Sequence, residues 1–456
     1  MILPRLMIAA PASGGGKTLV TCGLLRALAR RERRVIAFKC GPDYIDPAFH
    51  RTVLGAPSFN LDGYFTDAAQ MRGLMVRAAQ DAQADIALVE GVMGYYDGLA
   101  CDSTEASSYA VARATGTPAL LVVDTRGTAL SAAATIKGFA TFRSDAQVAG
   151  VILNRCSPAV AERVAPAIER ETGVPVLGCV PRDDRFELVH RHLGLVMPGE
   201  REDLLATMDA LADQLERTVD LGRVLSLAAE APRLDDAPFR LDAVTNARPR
   251  IAVARDEAFC FLYEENVRTL VDLGAELVFF SPLHDDDLPT DCGGLYLSGG
   301  YPELHARELA GNERMRMQIR AAVLAGLPTV AECGGFMYLQ DELCDEEGVA
   351  YPMAGVLRGR CANTGRLTQF GYVELTAQEG GALFPAGTVA RAHEFHYWHS
   401  TDEGSAWRAQ KPRSARGWSC GVALPNLMAG FPHVYYPGEP DIARRFVLAA
   451  AAYSRR

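Results

Sequence analysis

Pro11-Ala12-Ser13-Gly14-Gly15-Gly16-Lys17-Thr18 follows the apolar run 7–10 and precedes the amphipathic stretch 19–30. A glycine-rich turn set between a buried strand and a helix, and closed by Gly-Lys-Thr, has the parts that grip a nucleotide phosphate. The strict pattern asks for glycine where Pro11 stands, yet the physical requirements are met. Ser13, Gly14, Gly15 and Gly16 let backbone N–H groups converge on phosphate oxygens, Lys17 supplies positive charge, and the Thr18 hydroxyl can face Mg²⁺. ATP is the nucleotide this reading expects.

Outward from that loop, residues 7–10, 35–39, 86–90, 119–124, 149–154 and 176–180 are short runs apolar on both faces, separated by amphipathic segments. They predict buried parallel strands, hence a doubly wound α/β sheet. Residues 200–230 read as helix, and 231–249 lose periodicity while gaining Pro, Asp and Arg. The expected organisation is a nucleotide-dependent domain over 1–230, a linker over 231–249 and a second α/β domain over 250–456.

Mg²⁺ is a hard ion that takes oxygen ligands. Asp43 and Glu90 end two of the predicted strands on one edge of the sheet, so Thr18, Asp43 and Glu90 form the expected ligand set. In the loop Gly94-Tyr95-Tyr96-Asp97-Gly98, Asp97 is the residue expected to act in catalysis, and Asn154, just past another strand, is expected to face the adenine.

The second domain carries a different chemistry. Ala331-Glu332-Cys333-Gly334-Gly335-Phe336 follows the apolar run 327–330, placing a cysteine where a buried strand turns into a helix. Such an elbow exposes a nucleophile beside backbone N–H groups, and the helix terminus is expected to lower the thiol pKa. Gly299 and Gly300 of Ser298-Gly299-Gly300-Tyr301-Pro302-Glu303, together with Gly334, are the candidate oxyanion donors. A base must come from later in the chain, and spacing does not choose between His393, His396 and His433. The His-Glu-Phe-His pair lacks a visible third metal ligand.

Bulk properties narrow the classes. The formal charge of −10 argues against general binding to nucleic acid or anionic membranes. No apolar stretch reaches the roughly 18–20 residues of a membrane span. Eleven cysteines without a Cys-x-x-Cys pair fit reduced thiols and a cytoplasmic setting. The basic cluster 30–34 reads as a solvated helix end.

With these residues in view the chain resembles the cobyrinic acid a,c-diamide synthases, including the hydrogenobyrinic acid type, over nearly its full length. The resemblance rests on Phe38-Lys39-Cys40-Gly41-Pro42-Asp43-Tyr44-Ile45-Asp46-Pro47, Asn60-Leu61-Asp62, Glu90-Gly91-Val92-Met93-Gly94 with Asp97-Gly98, Leu297-Ser298-Gly299-Gly300-Tyr301-Pro302-Glu303, Glu332-Cys333-Gly334-Gly335 and His393-Glu394-Phe395-His396. It implies a dethiobiotin-synthetase-like ATP domain joined to a class I glutamine amidotransferase domain. L-glutamine would be the nitrogen donor, and ATP with Mg²⁺ would convert a carboxylate of a corrinoid polyacid to an acyl phosphate. It also implies that His433, in Phe431-Pro432-His433-Val434-Tyr435, is the base. A second histidine of the family's segment is replaced by Tyr435, and the carboxylate that completes an ordinary triad is not evident. Tyr44, Asp46, His393 and His396 are expected to bind substrate, ammonia is expected to travel by a sheltered path, and the assembly is compatible with a homodimer. The rival within the enzyme class is a,c-diamidation of nickel-sirohydrochlorin. The rival from another class is a P-loop ATPase switch whose C-terminal domain only binds a partner.

Overall fold

Strand β1 (Arg5–Ala9) is buried along its whole length, so both of its faces must be covered. Met7 and Ala9 enter one apolar cluster and Leu6 and Ile8 the other. Two-sided burial is what a parallel sheet between helical layers demands. Strands β2 (Val35–Cys40), β3 (Ser58–Leu61), β4 (Ile86–Glu90), β5 (Ala119–Asp124), β6 (Val148–Asn154) and β7 (Val176–Val180) complete it in the computed structural model. Their order is β3-β2-β4-β1-β5-β6-β7, with every pairing parallel. The predicted doubly wound sheet is present; β3, short and interrupted by Asn60, lacked an apolar run long enough to read.

Residues 1–186 and 200–455 are described. They divide into two compact units at Phe239 and Arg240. The stretch 231–249 contains no helix or strand. Its first half lies on the first unit, where Leu234 is buried and Arg72 pairs with Asp236 at 2.6 Å. Its second half lies on the second unit, where Val244 N–H donates to the Leu273 carbonyl.

In the second unit β8 (Arg250–Ala254), β9 (Glu276–Phe280), β10 (Gly294–Leu297) and β11 (Thr329–Glu332) form a parallel sheet, ordered β9-β8-β10-β11 and extended by the strand Leu427–Gly430. Beyond residue 340 the chain builds one mixed and one antiparallel sheet that the strand–helix alternation did not foresee. Their strands bury one face only, as in Trp407–Gln410 with alternating buried and exposed residues, and so carry no continuous apolar run. One of them, Val389–His396, pairs with the short strand His433–Val434 in a register that sets His393 opposite His433. No described helix is long and apolar enough to cross a membrane, and the eleven cysteines are free.

Candidate active sites

Helix α1 (Lys17–Arg30) begins directly at the phosphate loop, with Gly16 as its N-cap at φ 97°. That left-handed conformation and the space beside it both require glycine, because a Cβ on Gly16 would lie 2.2 Å from Asn154 Nδ2. Asn154 therefore braces the loop, its amide donating to the Gly15 carbonyl at 2.8 Å. Ser13 and Gly14 are exposed. Lys17 Nζ is parked on the Ala12 carbonyl at 3.3 Å and on the Met93 carbonyl. Asp97 is exposed, accepts the Gly94 N–H at 3.0 Å, and contributes to the field at Lys17.

The parallel register places Lys39 opposite Glu90, at the carboxyl ends of strands where open α/β sheets bind ligands. Thr18 Oγ1 donates to Glu90 Oε1 at 2.6 Å, and Lys39 Nζ reaches the same oxygen at 2.8 Å, Asp43 Oδ2 at 3.8 Å, and Asp46. His50 Nε2 lies 3.4 Å from the other Glu90 oxygen. Burial opposes the Lys39 ammonium, but Asp46, Glu90 and Asp43 outweigh it and hold the group charged. Burial likewise opposes the Glu90 carboxylate, and Lys39 and His50 hold it below the usual range. Burial and then Glu90 push the Asp46 carboxyl up.

Thr18 and Glu90 fit Mg²⁺, which takes few protein ligands and keeps several waters. Asp43 is less directly placed: its Oδ1 accepts the Ile45 and Asp46 N–H groups at the start of α2 (Ile45–Thr52), at 2.8 and 3.2 Å. Among the described residues no group of three or more His, Cys, Asp or Glu side chains is arranged to hold a metal ion. Tyr44 is buried at the N-cap of α2.

At the other centre β11 ends at Glu332 and a helix runs over Gly334–Leu339. Between them Cys333 has φ 48° and ψ −104°, a conformation that costs of order 1–3 kcal/mol in a residue with a side chain and is typical of a nucleophile elbow. The thiol pKa is not lowered as expected. The side chain is buried, the helix is one short turn and a half, and burial pushes the thiol up while the Gly334 N–H works against it.

His433 lies close to Cys333. A Cβ on Gly299 would lie 2.4 Å from His433 Cε1, 3.1 Å from its Nε2 and 3.3 Å from Cys333 Cβ, so loop, imidazole and nucleophile share one point. Gly300 N lies 3.0 Å from where a Gly334 side chain would begin, which groups the candidate oxyanion donors. The other two histidines are differently employed. His396 has its Nδ1 on the Trp398 carbonyl at 2.6 Å and its Nε2 on Glu394 at 2.9 Å, and its ring stacks on Phe431 at 3.9 Å. Burial and the nearby His433 lower His393 to about 3, so it stays neutral.

Residues 6–196 match the CobQ/CobB/MinD/ParA nucleotide binding domain, and residues 250–439 match the CobB/CobQ-like glutamine amidotransferase domain. The chain is 40% identical over 447 residues to the cobyrinate a,c-diamide synthase of Priestia megaterium, covering 97% of this chain and 96% of that protein. The chain belongs to the cobyrinate a,c-diamide synthase family. The Salmonella typhimurium relative of the same name is 40% identical, covering 97% of each chain, and that of Dehalococcoides mccartyi strain CBDB1 is 38% identical, covering 98% of each.

Two residues of this cobyrinate a,c-diamide synthase family member were given no role in the sequence reading. Lys39 is a lysine inside the otherwise apolar strand Val-Ile-Ala-Phe-Lys-Cys; a buried cation requires buried partners, and that was the available signal. Glu332 looked like a strand end, but it is buried and its oxygens face the strand bearing His433.

Proposed function

We propose that this chain amidates the a and c side-chain carboxylates of cobyrinate, taking nitrogen from glutamine and free energy from ATP. As a carbon–nitrogen ligase it must overcome the poor electrophilicity of a carboxylate. Transfer of the γ-phosphoryl group to the substrate carboxylate gives an acyl phosphate whose phosphate leaves readily. In this reading Gly14, Gly15 and Gly16 cradle the phosphates, while Lys17 moves off its two carbonyls onto them. Lys39 takes up the charge that develops on the transferred group. Thr18 and Glu90, with Asp43 alongside, would hold Mg²⁺, which supplies further neutralisation of the phosphates when bound. Tyr44 and Asp97 flank the corrinoid carboxylate, and Asp46 keeps Lys39 in place.

At the cysteine elbow His433 takes the thiol proton and Cys333 attacks the glutamine carboxamide. The oxyanion rests against the Gly300 and Gly334 N–H groups, and the proton returns to the departing ammonia. Water then releases glutamate from the thioester. Ammonia displaces phosphate from the activated carboxylate.

The observation that carries the proposal is the coexistence, in one chain, of a strained cysteine elbow set against His433 and a phosphate loop closed by a Thr18–Glu90–Lys39 centre. The test is mass spectrometry of products from cobyrinate with ATP and Mg²⁺, supplied with glutamine or with ammonium. Two successive amidations from either nitrogen source are expected. ATP hydrolysis without amide formation would overturn the reading and favour a switch ATPase, and the metal-free ring run in parallel reports whether cobalt is read.

A further inference from the structure

An imidazole that receives the Cys333 proton becomes a cation inside a buried site, and such a cation needs a partner. The three positions directly after His433 carry no carboxylate: Val434, Tyr435 and Tyr436 stand there. Three carboxyl groups lie around the centre, on different elements. Glu394, on the strand Val389–His396, is engaged by His396 Nε2 at 2.9 Å. Glu303, in the 3₁₀ turn Pro302–His305 after β10, is buried in surroundings that push its carboxyl up to about 8 and so disfavour its charged form. Glu332, at the end of β11, has Oε2 3.8 Å from His433 Nδ1. The titratable neighbours also include Cys333 itself, Tyr296 on β10 and His393 opposite His433.

Glu332 is also built into the frame that holds the histidine. Its Oε1 accepts the N–H of Val434, the residue after His433, at 3.0 Å, and its Oε2 accepts the Tyr296 hydroxyl at 2.8 Å. Asn266 locks the same short strand from the other side, donating to the Val434 carbonyl at 2.8 Å and accepting the Tyr436 N–H at 2.7 Å. The carboxylate thus meets the Nδ1 edge of the ring, while Gly299 and Cys333 lie toward the Cε1–Nε2 edge.

We infer that Glu332, the residue immediately before the nucleophile, is the positioning residue of His433: it fixes the ring and its strand, and it supplies the counter-charge when the ring takes the thiol proton. The inference rests on the reading of Cys333 and His433 as the glutaminase pair. The proton leaves Sγ for Nε2, Nδ1–H turns to Oε2, and the proton goes on to ammonia, so Glu332 itself gains and loses none. The acid lies directly upstream of the cysteine rather than two positions after the histidine, where the chain carries Tyr435.

Glu332→Gln keeps the shape and removes the charge. Three readouts on the full-length protein decide the matter: glutaminase kcat and KM, the pH midpoint of Cys333 alkylation by iodoacetamide followed on the Cys333 peptide, and ammonia-dependent amidation. The expected result is a fall of about 100-fold or more in glutaminase kcat, with the KM for glutamine within about threefold. The alkylation midpoint should move up by about one pH unit, because the thiolate loses its stabilised imidazolium partner. Ammonia-dependent amidation should stay within about twofold. A kcat within about threefold of the parent overturns the inference, as does a lost kcat with an unmoved midpoint, which would mark Glu332 as a mere prop. If E332Q does not accumulate folded, Glu332→Asp is read in the same way. With its charge kept, it should retain the parent midpoint while losing about tenfold in kcat, and a shifted midpoint there overturns the inference. Cys333→Ser runs alongside: glutaminase activity surviving in that variant would fell the cysteine–histidine reading itself, independently of Glu332.

Discussion

At the phosphate loop Lys39 lies within hydrogen-bond reach of both Asp46 and Glu90, whereas at the elbow the Cys333 thiol is buried in surroundings that disfavour its charged form. In the proposed mechanism the first centre holds its charges in the folded protein, and the second becomes charged when the thiol gives up its proton. A pre-assembled charged cluster is stable only while every member is present, since removing one leaves the others buried without compensation. A centre that charges on demand can lose its nucleophile and stay folded. The two units should therefore answer substitution differently, in stability as well as in activity.

The largest effect is expected for Cys333→Ser. Glutamine-dependent amidation should fall by about 10⁴-fold or more, with ammonia-dependent amidation retained and stability within about 1 kcal/mol of the parent. Paired activity assays and urea unfolding check this, and a large stability loss would erase the contrast between the centres. For Lys39→Ala, amidation from both nitrogen sources should drop by about 10³-fold. Stability should also fall by roughly 3–5 kcal/mol, as Glu90 and Asp46 lose their shared cation; an equally stable K39A variant would mean that the cluster is not holding charge at rest.

Gly299→Ala should cost about 100-fold in glutaminase turnover, because its new methyl would press on His433. Nucleotide affinity, measured by calorimetry, should not change, and a G299A variant with full glutaminase activity would separate the loop from the histidine. The smallest effect concerns pH. Burial, and then the neighbouring Lys39, lower the Lys17 ammonium to about 8. The group is protonated below that pH and loses its proton as pH rises through it, so ATP affinity should be flat to about pH 8 and weaken by up to about tenfold per unit above it. Binding at pH 9 should then take up a proton, visible as a dependence of binding heat on the buffer's ionisation enthalpy. The contribution of this group to folding runs the other way, rising over the interval from 8 to 10.5 because the unfolded chain binds the proton more tightly.

What could be read from the chain was chemistry written in neighbouring residues. The loop 11–18 and the elbow around Cys333 are each a short run in which spacing, glycine and one reactive group suffice. The parallel strands were legible because two-sided burial leaves unbroken apolar runs, as in β4 and β5. The sheets after residue 340 were not, because exposed residues interrupt the buried ones along strands such as Val389–His396 and Trp407–Gln410. Lys39 and Glu332 were missed for a related reason: each takes its meaning from a partner that only folding brings near. Lys39 meets Glu90 through the β2–β4 register, and Glu332 meets His433 across adjoining sheets. The helix-terminus argument for Cys333 failed because it counted a favourable dipole and left out the depth of the thiol.

The pairing that sets His393 opposite His433 leaves the glutaminase dependent on parity. Successive residues of a strand point to opposite sides, so a slip of one would turn the imidazole away and offer the isopropyl group of Val434 to the sulfur. Alignment here has two settings, one competent and one inert. A chain that closed its sheet out of step would not present the imidazole to the sulfur.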